Sequence, residues 1–386
     1  MTLLTYAAKI GLAVSKGQIP KDFRAEDYFD VFQLALESRF PRVIEAALDG
    51  LYSLIEGDHL PGAVVLEHTA LVTNSKYKSS ASLANVEAPE VLMDHVVLCI
   101  VNCCEENDDA VQAQILNTLF IACTSSKCAI HDTSLVLIVR AFMHLYLTSR
   151  NIMNRSTAKS HVMQLVDCVN MNMENAFADV IQKQVTKAAT LTPPPQPGAE
   201  DSGGEVETKK DIDLPSAPSK AEEGETVVAA ARSEGIDGGK EPGSGGDQSP
   251  SAGNPERILH NHAAYKNSLR VFRELCKWTT EAPDNNSILL GASPRRMSNS
   301  QSKAGKLLAL EAIMVTLDKA GPAFLGKGSF IDVVRESLCS ALLETCTSHD
   351  NEIISISLHI FQMLLESYKS HLKTELEVSL VKDKPG

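Results

Sequence analysis

Aromatic residues are scarce in this chain of 386, at 5%, with a single tryptophan. Strands draw on aromatic and β-branched side chains, so this scarcity, beside abundant Leu, Ala, Val, Ile and Ser, excludes a sandwich of short strands and favours helices. Long apolar runs are missing too. Stretches such as Val96–Val101 and Leu135–Val139 stop far short of the roughly 20 residues that span a bilayer. Met1–Lys16 is mildly apolar but interrupted at Lys9, without a charged leader or a small-residue cleavage site, and it reads as a first helix rather than a signal peptide. Nor is there an excess of positive charge. Lys and Arg number 36 against 49 Asp and Glu, a net charge of −13, which argues against nucleic acid as the main partner.

The usual signatures of site chemistry are also absent. The sequence holds no G-x-S-x-G, H-E-x-x-H, G-x-G-x-x-G or C-x-x-C, so no catalytic residue, cofactor and no metal ligand is assigned. The nine cysteines are an odd number and fall in apolar helical patterns, as expected of reduced, buried thiols in a cytoplasmic protein. His95, Cys99 and Cys103 are spaced i, i+4, i+8 on one helical face, but the two cysteines belong to an apolar stripe and core packing is expected. Gly321-Pro322-Ala323-Phe324-Leu325-Gly326-Lys327-Gly328 is one residue from a phosphate-binding loop, with Ser329 one place late for a magnesium-ligating hydroxyl. It follows a helical pattern instead of a strand, so Gly321 is expected to cap that helix and Pro322 to stop it.

What is present is helical periodicity. Leu92, Val96, Cys99 and Cys103 form an i, i+4, i+7, i+11 stripe, and so do Ile354, Leu358, Phe361 and Leu365; Ile44, Leu48, Leu51 and Ile55 form another. Leu307, Leu310, Met314 and Leu317, then Val334, Leu338 and Leu342, continue the pattern. Met163, Met171 and Met173, with Val162, Leu165 and Val166, are expected to line a seam between helices. Start signals stand at Pro41 and Pro89, at Asp108 or Asp109, and at Ser329-Phe330-Ile331-Asp332, which has the form of a capping box. The spacing predicts helices over 3–15, 26–39, 41–56, 89–105, 109–124, 132–149, 156–188, 257–279, 303–320, 330–346 and 350–380. The expected fold is an all-α, armadillo/HEAT-like helical solenoid.

One stretch breaks this pattern. Thr192–Pro255 holds 9 of the 17 prolines and 11 of the 22 glycines, no aromatic residue, and 13 acidic against 5 basic residues. Such a composition buries too little apolar area to offset chain entropy. The expected organisation is therefore a helical domain over 1–190, a disordered acidic linker over 191–256 and a second helical domain over 257–386, in two parts whose mutual geometry the linker leaves open. Arg295-Arg296-Met297-Ser298 places two arginines ahead of a serine in a polar stretch, which makes Ser298 a candidate phosphosite; a solvated basic loop is the plain alternative.

Arg42-Val43-Ile44-Glu45-Ala46-Ala47-Leu48-Asp49-Gly50-Leu51 resembles an early helix of the large Arf guanine-nucleotide exchange factors of the brefeldin A-inhibited (BIG) subfamily. Val111-Gln112-Ala113-Gln114-Ile115-Leu116 through Thr148-Ser149-Arg150-Asn151-Ile152 to Thr157-Ala158-Lys159 is similar to the rest of that family's dimerisation and cyclophilin-binding domain. Val271-Phe272-Arg273-Glu274-Leu275-Cys276-Lys277, Leu310-Glu311, Ala320-Gly321-Pro322-Ala323-Phe324 and Ser367-Tyr368-Lys369-Ser370-His371-Leu372-Lys373 resemble its homology-upstream (HUS) domain, here partial. The resemblance implies a helical regulatory scaffold that acts by binding: a homodimer, recruited peripherally to Golgi and trans-Golgi membranes from the cytoplasm by a small GTPase of the Arf/Arf-like class in its GTP state. The family's Asn-aromatic-Asp-Cys box and catalytic Sec seven domain have no counterpart in this sequence, so no enzymatic activity is expected of this chain. An unrelated armadillo/HEAT-type adaptor in membrane traffic is the alternative; a long asparagine ladder or a 40-residue period would favour it, and neither is visible.

Overall fold

The computed structural model describes residues 29–62, 91–130, 132–191, 259–280, 297–326 and 328–368. The expected helix over 3–15, the start signal at Pro89, the linker Thr192–Pro255, Arg295, Arg296 and Lys327 lie outside these residues. Among the described residues the structure is helical and contains no strand, an all-α solenoid. The helices are α1 (Phe29–Leu36), α2 (Pro41–Glu56), α3 (Leu92–Val101), α4 (Asp109–Thr124), α5 (Asp132–Thr148) and α6 (Ile152–Leu191). After the linker come α7 (Ala263–Thr280), α8 (Asn299–Asp318), α9 (Pro322–Leu325), α10 (Ser329–Val333), α11 (Cys339–Cys346) and α12 (Asn351–Tyr368). A 3₁₀ turn, Asn102–Glu105, extends α3, and a π-helical turn, Val334–Leu338, joins α10 to α11 in one unbroken run.

Several ends follow from single residues. Pro41 opens α2 at a position whose N–H has no helical partner to lose. The Asp108 carboxylate accepts from the Ala110 and Val111 N–H groups, capping α4. Ser329 departs from its expected role. It is the first residue of α10, and no side chain caps that helix.

The stripes of α2, α3 and α10–α11 are buried as their spacing requires. That of α12 is not. Ile353, Ser357, Ile360, Leu364 and Tyr368 face the core, while Leu358 is 54% exposed and Leu365 36%. The physical reason is a polar residue in the inner stripe: Ser357 is buried because its hydroxyl donates to Thr345 Oγ1 at 2.8 Å. In α6, Val162, Leu165, Val166 and Met173 are buried, but Met171 points outward at 56% exposure.

α2 packs on α4, α3 on α5, α7 on both α5 and α8, and α12 on α8 and α11. The described residues within 1–184 and 254–386 thus belong to one compact unit, and the end of α6 falls outside it. The two helical parts do not leave their geometry open, as the linker alone suggests. They share one apolar core, in which Phe142 and Leu145 of α5 belong with Phe272 and Leu275 of α7 and Leu308 and Ile313 of α8.

Candidate interaction surfaces

The joint between α5–α6 and the later helices is polar as well as apolar. Glu274 on α7 is buried, and its carboxylate is held by Arg140 on α5 through Nε at 2.7 Å and Nη2 at 2.9 Å. Such a fork on a carboxylate fixes orientation as well as distance. Ser268 donates to Asn170 Oδ1 at 2.6 Å, Lys319 pairs with Asp167 at 2.6 Å, and Gln301 Nε2 donates to the Leu147 carbonyl at 2.9 Å.

The near-miss phosphate loop has a specific role in this joint. Lys319, not Gly321, ends α8, and Gly321 is the residue that precedes α9, with Pro322 as its first helical position. The Glu174 carboxylate from α6 sits at that helix start, accepting from Gly321 N at 3.1 Å, Ala323 N at 3.0 Å and Phe324 N at 3.2 Å. The turn does bind an anion, and the anion is the chain's own. A Cβ on residue 321 would lie 2.5 Å from Glu174 Oε2, so a side chain there would push the carboxylate off the turn. Beneath it Phe324 packs against Phe272, Phe330 and Tyr368.

The other candidate residues fall into place. His95, Cys99 and Cys103 are buried, with Cys103 Sγ directed at the carbonyls of Leu36 and Cys99. Burial pushes the Cys103 thiol up to about 12, so it packs as a small neutral hydrophobe. All nine cysteines are free thiols. No cluster that could hold a metal occurs among the described residues. Ser298 is the N-cap of α8: its hydroxyl accepts from Gln301 N at 3.3 Å, and its own N–H donates to Gln301 Oε1 at 3.0 Å. No local pattern in the sequence pointed to Glu174, Arg140 or Glu274.

Two surface grooves complete the picture. One, of about 560 Å³, lies between α2 and α4, with Tyr52, Phe120 and Ile121 as its apolar part and Asp49, Gln114, Asn117 and Thr124 around them. Gln114 bridges to Asp49 at 3.2 Å, and Phe120 is backed by the His161 ring, stacked at 4.2 Å. The other, of about 750 Å³, runs between α8 and α12 past Met314, Ile356, Leu358 and His359.

Fold and surfaces together define an all-α helical scaffold. Residues 9–176 match the family model of the Mon2/Sec7/BIG1-like dimerisation and cyclophilin-binding domain, and residues 264–382 that of the Mon2/Sec7/BIG1-like HUS domain. The chain belongs to this family. It is similar to brefeldin A-inhibited guanine nucleotide-exchange protein 1 of Rattus norvegicus, at 23% identity over 92% of this chain and 24% of the relative. The protein of the same name from Mus musculus is 24% identical over the same shares, and brefeldin A-inhibited guanine nucleotide-exchange protein 3 of Arabidopsis thaliana is 25% identical over 75% of this chain and 18% of the relative. The chain thus spans a quarter or less of the length of these relatives. The family match removes the unrelated adaptor as an alternative.

Proposed function

We propose that the chain is the non-catalytic regulatory and membrane-recruitment region of a large Arf guanine-nucleotide exchange factor. It works by self-association and by binding a GTP-loaded Arf-like GTPase at Golgi and trans-Golgi membranes. The observation that supports this most is the match of residues 9–176 to the dimerisation and cyclophilin-binding domain, whose α2–α4 groove sets Tyr52, Phe120 and Ile121 among polar side chains. A GTPase reports its nucleotide through switch segments ordered by the γ-phosphate. A receptor built from packed helices has little conformational entropy to lose on binding them. No helix among the described residues is long and apolar enough to cross a membrane, and in this reading a protein partner supplies the attachment.

The test is titration of the chain against GTP-locked and GDP-bound forms of a panel of Arf and Arf-like proteins. At least tenfold preference for one GTP form is expected, which needs only about 1.4 kcal/mol of differential contact. Asn117→Arg, an exposed change in the groove, should remove that preference without unfolding the chain. Equal binding of both nucleotide forms at tens of micromolar across the panel would overturn the reading.

A further inference from the structure

The apolar stripe that spacing marks out on α12 lies open. Ile354 and Phe361 are half-buried and Leu358 and Leu365 exposed, while Ile353, Ser357, Ile360, Leu364 and Tyr368 take the core side. A helix apolar along two stripes is built to pack on two sides. Leu358 also lines the groove beside α8, with Met314 and Ile356, so stripe and groove join in one surface. The charges around it have one sign. α12 carries no Lys or Arg, and its exposed carboxylates, Glu352 and Glu366, stand one at each end of the stripe. Lys303 of α8 is shared between Asp350 and Glu352, which leaves that end negative, and Glu366 accepts from Gln362 at 3.0 Å. We propose that this face receives a basic amphipathic helix of a partner protein. The proposal is independent of the GTPase reading, which concerns α2 and α4.

Charge selects this occupant among those with an apolar face. A second copy of α12 laid antiparallel along the stripe would bring Glu352 against a second Glu366, and laid parallel would bring each carboxylate against its own duplicate. Both arrangements set acid against acid, which is repulsive. An anionic lipid surface is repelled for the same reason. Thr192–Pro255 of the chain itself, with 13 acidic against 5 basic residues, has the wrong sign too. A helix with large apolar residues at i, i+3 or i+4 and i+7 can lay them between Leu358, Phe361 and Leu365. Glu352 and Glu366 are about 21 Å apart along the axis at 1.5 Å per residue, so lysines or arginines flanking that row reach both. Apolar contact then supplies affinity, and the carboxylates reject helices of their own sign.

The experiment titrates the full chain at physiological salt against a fluorescein-labelled peptide of about 18 residues, long enough to hold a helix once its apolar face is buried. The peptide has leucine at i, i+3, i+4 and i+7 positions and lysine elsewhere; its counterpart has glutamate in place of lysine. Anisotropy should show the lysine helix binding at least about tenfold more tightly than the glutamate one. Leu358→Arg, an exposed change that leaves the core side of α12 intact, should weaken the lysine helix at least about tenfold. Ile152→Arg, the same charge change at an exposed apolar residue of α6, should alter binding less than about twofold. No saturation below about 100 μM, equal binding of the two helices, or equal loss in the two variants would overturn the proposal. Sedimentation of the chain alone completes the test. A dimer broken by Leu358→Arg but not by Ile152→Arg would make a second copy the occupant and overturn the basic partner, whereas an oligomeric state that Leu358→Arg leaves unchanged supports it.

Discussion

The Arg140–Glu274 pair makes the shared core measurable. Glu274 is 6% exposed, and Lys277 on the same helix approaches its carboxylate only to 4.0 Å. Arg140→Met keeps an unbranched apolar stem but leaves a buried carboxylate without its fork. Removing one partner of a fully buried pair costs about 3–5 kcal/mol. The Arg140 side chain is 26% exposed here, so solvent screens part of the interaction and about 2–3 kcal/mol is expected. Glu274→Met should cost about the same or less, since the stranded guanidinium can still reach water. The double variant replaces the pair by two methionines and should cost little more than either single change, giving a coupling of about 1–2 kcal/mol. Urea unfolding followed by helical circular dichroism measures all four corners of the cycle. Because α5 and α7 share one core, a single transition is expected. Additive single changes, or two transitions of which the variants shift only one, would refute the account.

Cleavage at Lys209, Lys210 or Arg232 should leave two fragments that co-elute in gel filtration, because the joint holds them together; separation without denaturant would show the joint to be too weak. Burial lowers the His161 pKa to about 4, below the unfolded value near 6.5, so the stability it supplies is full above pH 6.5 and is lost as the pH falls toward 4. His161→Phe should therefore flatten the fall in Tm between pH 6.5 and 4.5, and an unchanged slope would assign that loss to other groups. Ile360→Ala, at a fully buried position of α12, should cost about 2–4 kcal/mol by chemical denaturation. Leu358→Ala, more than half exposed, should cost under about 0.5 kcal/mol, and the reverse order would return α12 to the face its stripe suggested.

Local pattern carried the helices well and their mutual arrangement hardly at all. Pro41, Asp108 and the stripes of α2, α3 and α10–α11 act within a few residues of themselves, so spacing reveals them. α12 misled because it is apolar on two sides and Ser357 disguises the inner one, a serine admitted to the core by Thr345. The Gly321-Pro322 turn was legible as a break between helices, but its ligand was not. Glu174 lies 147 residues earlier, and nothing in the intervening sequence marks the pairing. The same holds for Arg140 with Glu274 and for Tyr52 with Phe120, which come together only once α2 and α4 have packed.

The grip of Glu174 on the Gly321-Pro322 turn has a bearing on how such chains can change in length. With the modules aligned by contacts at their faces, the residues between Leu191 and Ala263 are relieved of setting any angle or distance. Loop closure grows only logarithmically, so doubling a flexible connection costs about 0.6 kcal/mol. Insertions are therefore cheap at that place and expensive within α6 or α9. A reporter domain spliced into the connection should leave the scaffold on either side in register, much as a longer cable leaves two bolted plates aligned.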